Sequence, residues 1–284
     1  MPQSIQLLKK RIHSVESARK VIRAMEMVSS AKLRRNEEFF NASHRYNEKI
    51  SEILNNAFSD SMDFNHPLMR ENKNTERVLL CVVAGDMGLC GSYNNVVLRT
   101  AEDFIKKNGK EEVDIIAIGK KTASYFKRRG YPLTSAILGM NGRLTDNTNR
   151  ELNQIIIESF LSGKFKEFYM VYTNFSSSLK LKAFVDKILP VKKTSKAPVD
   201  IIFESEKDTF LEELVLGFVK SKIRLAILSA FMAEHSNRIF AMKSARDNAD
   251  ELHRILVVDY NKMRQAGITR EVIELISSSE NLKG

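Results

Sequence analysis

Between Pro2 and Pro67 the chain has neither glycine nor proline, and after Pro198 it has no proline and only Gly217 and Gly267 before its last residue. Nothing in either stretch forces a helix to stop. The second opens on Ser205-Glu206-Lys207-Asp208, a capping-box spacing with acidic residues in the first turn, where the helix dipole favours them. From Leu225 its apolar positions run Leu225, Leu228, Met232, His235, Ile239 and Met242, then change phase to Ala245, Ala249, Leu252, Leu256, Tyr260 and Met263. Steps of three and four are the signature of a coiled-coil seam. A helix of roughly 75 residues is about 110 Å long, and a domain core is only about 30 Å across, so the sequence predicts that this element projects. The N-terminal stretch carries the same signature at Ile5, Leu8, Ile12, Val15, Ala18, Ile22, Met25 and Ser29. Two such seams at opposite ends of one chain satisfy each other by winding into an antiparallel pair.

The middle of the chain must then bring the two ends together. Residues 60–75 are polar, contain Pro67 and read as a linker. Beyond them short β-rich runs alternate with helical patterns. Strands are expected at Arg77–Ala84, Val113–Ile118 and Pro132–Leu138, and helices at Asn94–Lys107, Lys120–Arg129 and Thr145–Ser162. Phe168–Asn174 and Leu179–Leu189 read as a strand pair joined through Ser176-Ser177-Ser178. The fold class is α/β: a central Rossmann-like domain over residues 76–204 with a largely parallel sheet, flanked by coiled-coil helices over 1–59 and 205–284.

Such a sheet raises the question of a nucleotide. The loop Gly85-Asp86-Met87-Gly88-Leu89-Cys90-Gly91 has glycines three apart, which is not the dinucleotide spacing, and there is no Walker A loop. A tight turn with close backbone packing is the reading the residues support, since the fold does not imply its usual ligand. The five histidines are scattered singly, with no partner at metal-ligand spacing, and no nucleophile elbow is present. Cys81 and Cys90 sit in apolar or glycine-rich surroundings that suit buried thiols. The chain therefore reads as a non-enzyme, with no catalytic residue, cofactor or metal expected.

Charge points to a partner. The formal net charge is +10, and residues 1–35 hold nine Lys or Arg against only Glu16 and Glu26. That one-sided bias cannot neutralise itself along the helix, so an acidic partner is expected. A basic coiled-coil adaptor that binds nucleic acid in a salt-sensitive manner is an alternative reading. The longest uncharged apolar run, Val78–Ala84, is far short of the roughly 20 residues a membrane helix needs. No signal-peptide h-region is visible at the N-terminus.

Three blocks then carry a resemblance. They are Val21-Ile22-Arg23-Ala24-Met25-Glu26-Met27-Val28-Ser29-Ser30-Ala31-Lys32-Leu33-Arg34-Arg35, the loop Gly88-Leu89-Cys90-Gly91, and the C-terminal stretches Ala233–Ala249 and Tyr260–Glu271. In this order, and over essentially the whole chain, they resemble the gamma subunits of F-type ATP synthases. The resemblance implies a rotary central shaft inside a hexamer of alpha and beta subunits, with catalysis in beta. It implies docking on epsilon and on the ring of c subunits, no nucleic acid, and membrane association only through the Fo sector, at the cytoplasmic face of a bacterial inner membrane. By the same resemblance Met25, Lys32, Arg35, Arg238, Arg264, Gln265, Thr269 and Glu271 are the expected contacts with the hexamer. Phe203 and Glu204 are those expected with the c ring and epsilon. Two departures stand out: Met87 replaces an arginine common in the family's loop, and Gly267 stands where alanine or serine is expected. The dithiol insertion of plastid members is missing, so no thiol switch is expected, and a start almost directly at the first motif favours a bacterial source.

Overall fold

The computed structural model describes residues 2–57, 66–175, 181–192 and 207–281. Both long helices are present: α1 spans Pro2–Ala57 and α5 spans Lys207–Asn281, 75 residues without interruption. Ser205 and Glu206 of the expected cap lie outside the described residues, as do Ser176, Ser177 and Ser178. Between the helices come β1 (Val78–Val83), α2 (Tyr93–Asn108), β2 (Val113–Ile118), α3 (Lys120–Arg128), β3 (Leu133–Ile137), α4 (Asp146–Leu161), β4 (Glu167–Thr173) and β5 (Ala183–Leu189).

The five strands form one sheet in the order β3-β2-β1-β4-β5. The first four are parallel, and β5 closes the far edge antiparallel to β4. Successive side chains of β1 point to opposite faces, as the pleat requires. Leu79, Cys81 and Val83 pack with Leu152, Ile156 and Phe160 of α4 and with Leu211, Val215, Val219 and Ile227 of α5. Val78, Leu80 and Val82 pack with Tyr93, Val97, Ala101 and Ile105 of α2 and with Phe126 of α3. Because both faces are covered, all six residues of β1 are buried, which explains why that strand is an unbroken apolar run rather than an alternating one.

The described part of the expected linker is more than a spacer. Pro67–Met69 form a 3-10 turn, His66 caps it by accepting from Leu68 N, and Leu68 is fully buried. Val191 N donates to Leu68 O at 2.8 Å, so the segment is docked beyond the end of β5. Met69 packs against the same core, and Thr75 Oγ1 donates to Lys164 O at 3.2 Å, so the polar run is tied down along its length.

The chain groups into two units, one made of the residues up to Val28 with those from Ile239 on, the other of Ser29–Arg238. The second unit holds the sheet and the adjoining parts of both long helices, which run antiparallel. Ile50 meets Gly217, and Asn47 donates to Ser221 one turn further along α5.

Candidate functional site: a filled crevice and a polar coiled coil

In an open parallel sheet, ligands bind outside the carboxyl ends of the strands where the strand order reverses. That point lies here at the loop after β1, since β2 is on one side of β1 and β4 on the other. The crevice is taken up by α5. Tyr93 Oη, fully buried, donates to Ala230 O at 3.0 Å. Glu234 lies so close to the loop that a Cβ on Gly85 would stand 2.9 Å from its Oε1, so a larger residue there would have to displace the carboxylate. Asn94 closes the turn from the other side, accepting from Gly85 N at 2.8 Å.

The α5 groups in this crevice form a buried polar set. Arg238 Nη2 donates to Glu234 Oε1 at 2.6 Å, and its Nε and Nη2 each reach Gly88 O at 3.4 Å. Burial raises the pKa of Glu234, and the guanidinium opposes that shift. Arg238 Nη1 also lies 3.2 Å from His235 Nδ1. A guanidinium has no acceptor, so Nδ1 must accept and the neutral ring carries its proton on Nε2, which faces Gly142. Protonating Nδ1 would point a hydrogen at a cation. Burial, then Arg238 and Lys32, lower the His235 pKa to about 4. His235 is thus a core histidine of the sheet-bearing unit, held by both charge and space.

The other unit is a two-stranded antiparallel coil. Going down α1, Glu26 meets Arg246 at 2.8 Å, Arg19 meets Asp250 at 2.5 Å, Glu16 meets His253 at 3.2 Å, and Ile5 lies against Gly267. The residues withdrawn from solvent include Ile5, Leu8, Ile12, Val15, Arg19, Ile22 and Glu26 on α1, and Met242, Ala249, His253, Leu256, Tyr260, Met263 and Gly267 on α5. Two expected seam positions are corrected: Ala18 and Leu252 are exposed, and their neighbours Arg19 and His253 take the seam instead. Strict alternation of three and four puts polar residues there, and each finds an opposite charge or a hydrogen-bond partner across the pair. Polar layers of this kind fix register at some cost in stability.

The structure divides the expected contact residues. Arg264, Gln265, Thr269 and Glu271 are exposed on α5 near and beyond Gly267, Thr269 bonding only back to Gln265 O among the described residues. Past that point Ile268, Val272, Ile273, Leu275 and Ile276 are also exposed, between 48% and 71%. Five exposed apolar side chains on one helix end make it a candidate interaction surface. Met25 is half-buried, and Arg35 is exposed with its guanidinium over the Phe39 ring at 5.7 Å. Lys32 is half-buried, its Nζ donating to Asn141 O at 2.8 Å. Arg238 is only 4% exposed, so a partner can meet its guanidinium only by exchanging the bonds to Glu234 and Gly88. Phe203 and Glu204 lie outside the described residues. The polar coil layers and Glu234 escaped sequence reasoning that followed apolar positions; the strict seam period could have found Arg19 and His253.

Among the described residues no cluster of His, Cys, Asp or Glu is arranged to hold a metal, and no helix is long and apolar enough to cross a membrane. A family profile described as ATP synthase matches residues 4–282. The chain is 32% identical to the ATP synthase gamma chain of Protochlamydia amoebophila, covering 99% of each. It is 33% identical to that of Geotalea uraniireducens, again over 99% of each. Among solved structures it is similar to a chain in the OSCP/F1/c-ring assembly of Euglena gracilis mitochondrial ATP synthase. That match has a TM-score of 0.70 at 16% identity and covers 99% of this chain and 95% of that one. A chain of the rotor from the same organism gives 0.65, covering 94% and 100%.

Proposed function

The chain belongs to the family of ATP synthase gamma chains, and we propose that it works as the central rotary shaft of such an enzyme. The observation that carries this reading is the pairing of its two terminal helices, antiparallel and in register through Glu26–Arg246, Arg19–Asp250 and Glu16–His253. A shaft must turn without twisting, and two helices locked by polar layers resist twist better than one. The division that suits this role is helical strands over 1–59 and 205–284 with a sheet-bearing domain over 76–204.

The chain supplies no catalytic group; hydrolysis and synthesis of ATP belong to the beta subunits. Its part is differential contact. An asymmetric rod inside a ring of alpha and beta subunits presents a different face to each catalytic site, and a ligand that meets two states unequally shifts their populations. The exposed apolar end of α5, with Arg264, Gln265, Thr269 and Glu271 beside it, fits a surface that bears on the hexamer high in the ring. Met25, Lys32, Arg35 and Arg238 would meet it lower down, Arg238 by trading its internal bonds. The c ring drives the rotor, with Phe203 and Glu204 as the contacts we assign to it and to epsilon. The chain is a part of the F1 sector, and we assign it a location at the cytoplasmic face of a bacterial inner membrane, held there through Fo. The nucleic-acid adaptor is set aside, because the family match over residues 4–282 and the relatives named ATP synthase gamma chain favour the rotor.

Co-expression with alpha and beta subunits tests the reading. The chain should co-purify in one stoichiometric complex and raise ATPase turnover above that of alpha and beta alone. Replacing Arg264 and Gln265 together by alanine should lower turnover or torque; wild-type values would remove them from the contact set.

A further inference from the structure

The loop between β3 and α4 is tied down from three directions. Asp86, just past β1, accepts from Gly139 N at 2.8 Å on Oδ1 and from Asn141 N at 2.7 Å on Oδ2. Its Oδ1 also accepts from Lys120 N at the start of α3, at 3.0 Å. From α1, Lys32 Nζ donates to Asn141 O and Asn36 Nδ2 donates to Gly142 O at 3.1 Å. Asn36 is 3% exposed, so that amide is committed to the loop. From α5, the His235 ring presses on Gly142, where a Cβ would stand 2.1 Å from Nε2. The backbone at Gly142 has φ +70°, a second reason that only glycine serves there.

We propose that residues 139–142 are a keystone that fixes the rotational setting of α1 and α5 on the sheet, with Asp86, Asn36 and His235 as its positioning residues. This rests on the shaft reading. Apolar burial alone specifies it less sharply: the hydrophobic drive that buries Phe231 and Ile227 of α5 is non-directional. Hydrogen bonds weaken steeply off axis, and those from Asp86 and Lys32 are charge-assisted. Every hydrogen bond to the loop ends on its backbone, so no side-chain rotation within the loop can release it. The placement suits the task. The sheet-bearing unit ends at Ser29 and Arg238, and Lys32, Asn36 and His235 all lie within about two helical turns of those ends. Rotation lost there would be lost to everything the helices carry onward.

The test uses the complete complex, with its membrane sector, in sealed vesicles. Asp86→Ala removes all three accepted bonds, Asp86→Asn keeps one acceptor, and Asn36→Ala removes a single bond. Hydrogen exchange at the Gly139 and Asn141 amides should quicken about tenfold in Asp86→Ala and less in Asp86→Asn. ATPase turnover should stay near wild type. Ions pumped per ATP should fall on the order of twofold in Asp86→Ala, with Asp86→Asn between it and wild type. Should Asp86→Ala fail to assemble, Asn36→Ala carries the same expectation in weaker form. Faster exchange with unchanged ions per ATP overturns the keystone while leaving the shaft intact. A wild-type chain that neither assembles nor stimulates the hexamer removes the shaft, and the keystone with it.

Discussion

One helix lives under two regimes. Within the sheet-bearing unit, ten consecutive residues of α5, 226–235, are buried, so that stretch is enclosed on every side. In the coil, from Ile239 onward, burial falls back to every third or fourth residue, and several of those are polar. The enclosed stretch is rich in small residues, with Ala226, Ser229, Ala230 and Ala233 all buried, which lets the sheet and its loops close in. The coil instead spends its seam on ion pairs. The first region is held by packing and the second by register, and substitutions should separate the two.

The widest gap is expected between core and coil truncations. Phe231→Ala, which empties a side chain 2% exposed, should cost about 3–5 kcal/mol, whereas Leu252→Ala, 47% exposed beside the seam, should stay within about 0.5 kcal/mol. Denaturant unfolding of the isolated chain would show it, and equal losses would erase the distinction.

Next in size is a pH effect confined to the enclosed stretch. His235 has a folded pKa of about 4, below its unfolded value. The unfolded chain therefore takes up the proton first as pH falls. Stability is full above about pH 6.5 and is lost down to about pH 4, by up to about 3 kcal/mol for this group. Buried His66 is shifted the same way, and Glu234, raised by burial, works in the opposite sense. The measurement is accordingly the difference between wild type and His235→Leu, whose stability should fall less steeply over that window. Parallel curves would mean that the imidazole is not held neutral.

The smallest effect concerns the two helical glycines. A Cβ on Gly267 would meet Ile5 Cδ1 at 3.8 Å, ordinary contact, so Gly267→Ala should stabilise the coil by about 1 kcal/mol. A Cβ on Gly217 would come within 2.8 Å of Ile50 Cδ1, and crowding there should cancel the gain. Melting curves of the two variants should move apart; a common shift would show that packing does not distinguish the sites.

The same contrast explains what could be read from the chain itself. The strands were legible because β1 is apolar throughout and β2 is apolar but for Asp114, and the long helices because nothing interrupts them. Ala18 and Leu252 misled because hydrophobicity alone cannot choose between neighbours when the true seam residue is charged or polar and paired across the coil. Leu68 was hidden in a polar stretch whose docking depends on Val191, far along the chain. The crevice and the keystone were out of reach for a like reason. Asp86 and Gly139 are 53 residues apart and Arg238 and Gly88 are 150 apart, and neither spacing carries a local pattern.

The most direct measurement is to watch the chain turn. Cys81 and Cys90 are buried, so a cysteine placed at exposed Lys107 of α2 offers a selective handle for a bead, with the alpha–beta hexamer fixed to a surface. Addition of ATP should make the bead rotate in one direction in discrete steps. A bead that stays still on a complex that hydrolyses ATP at full rate would contradict the account.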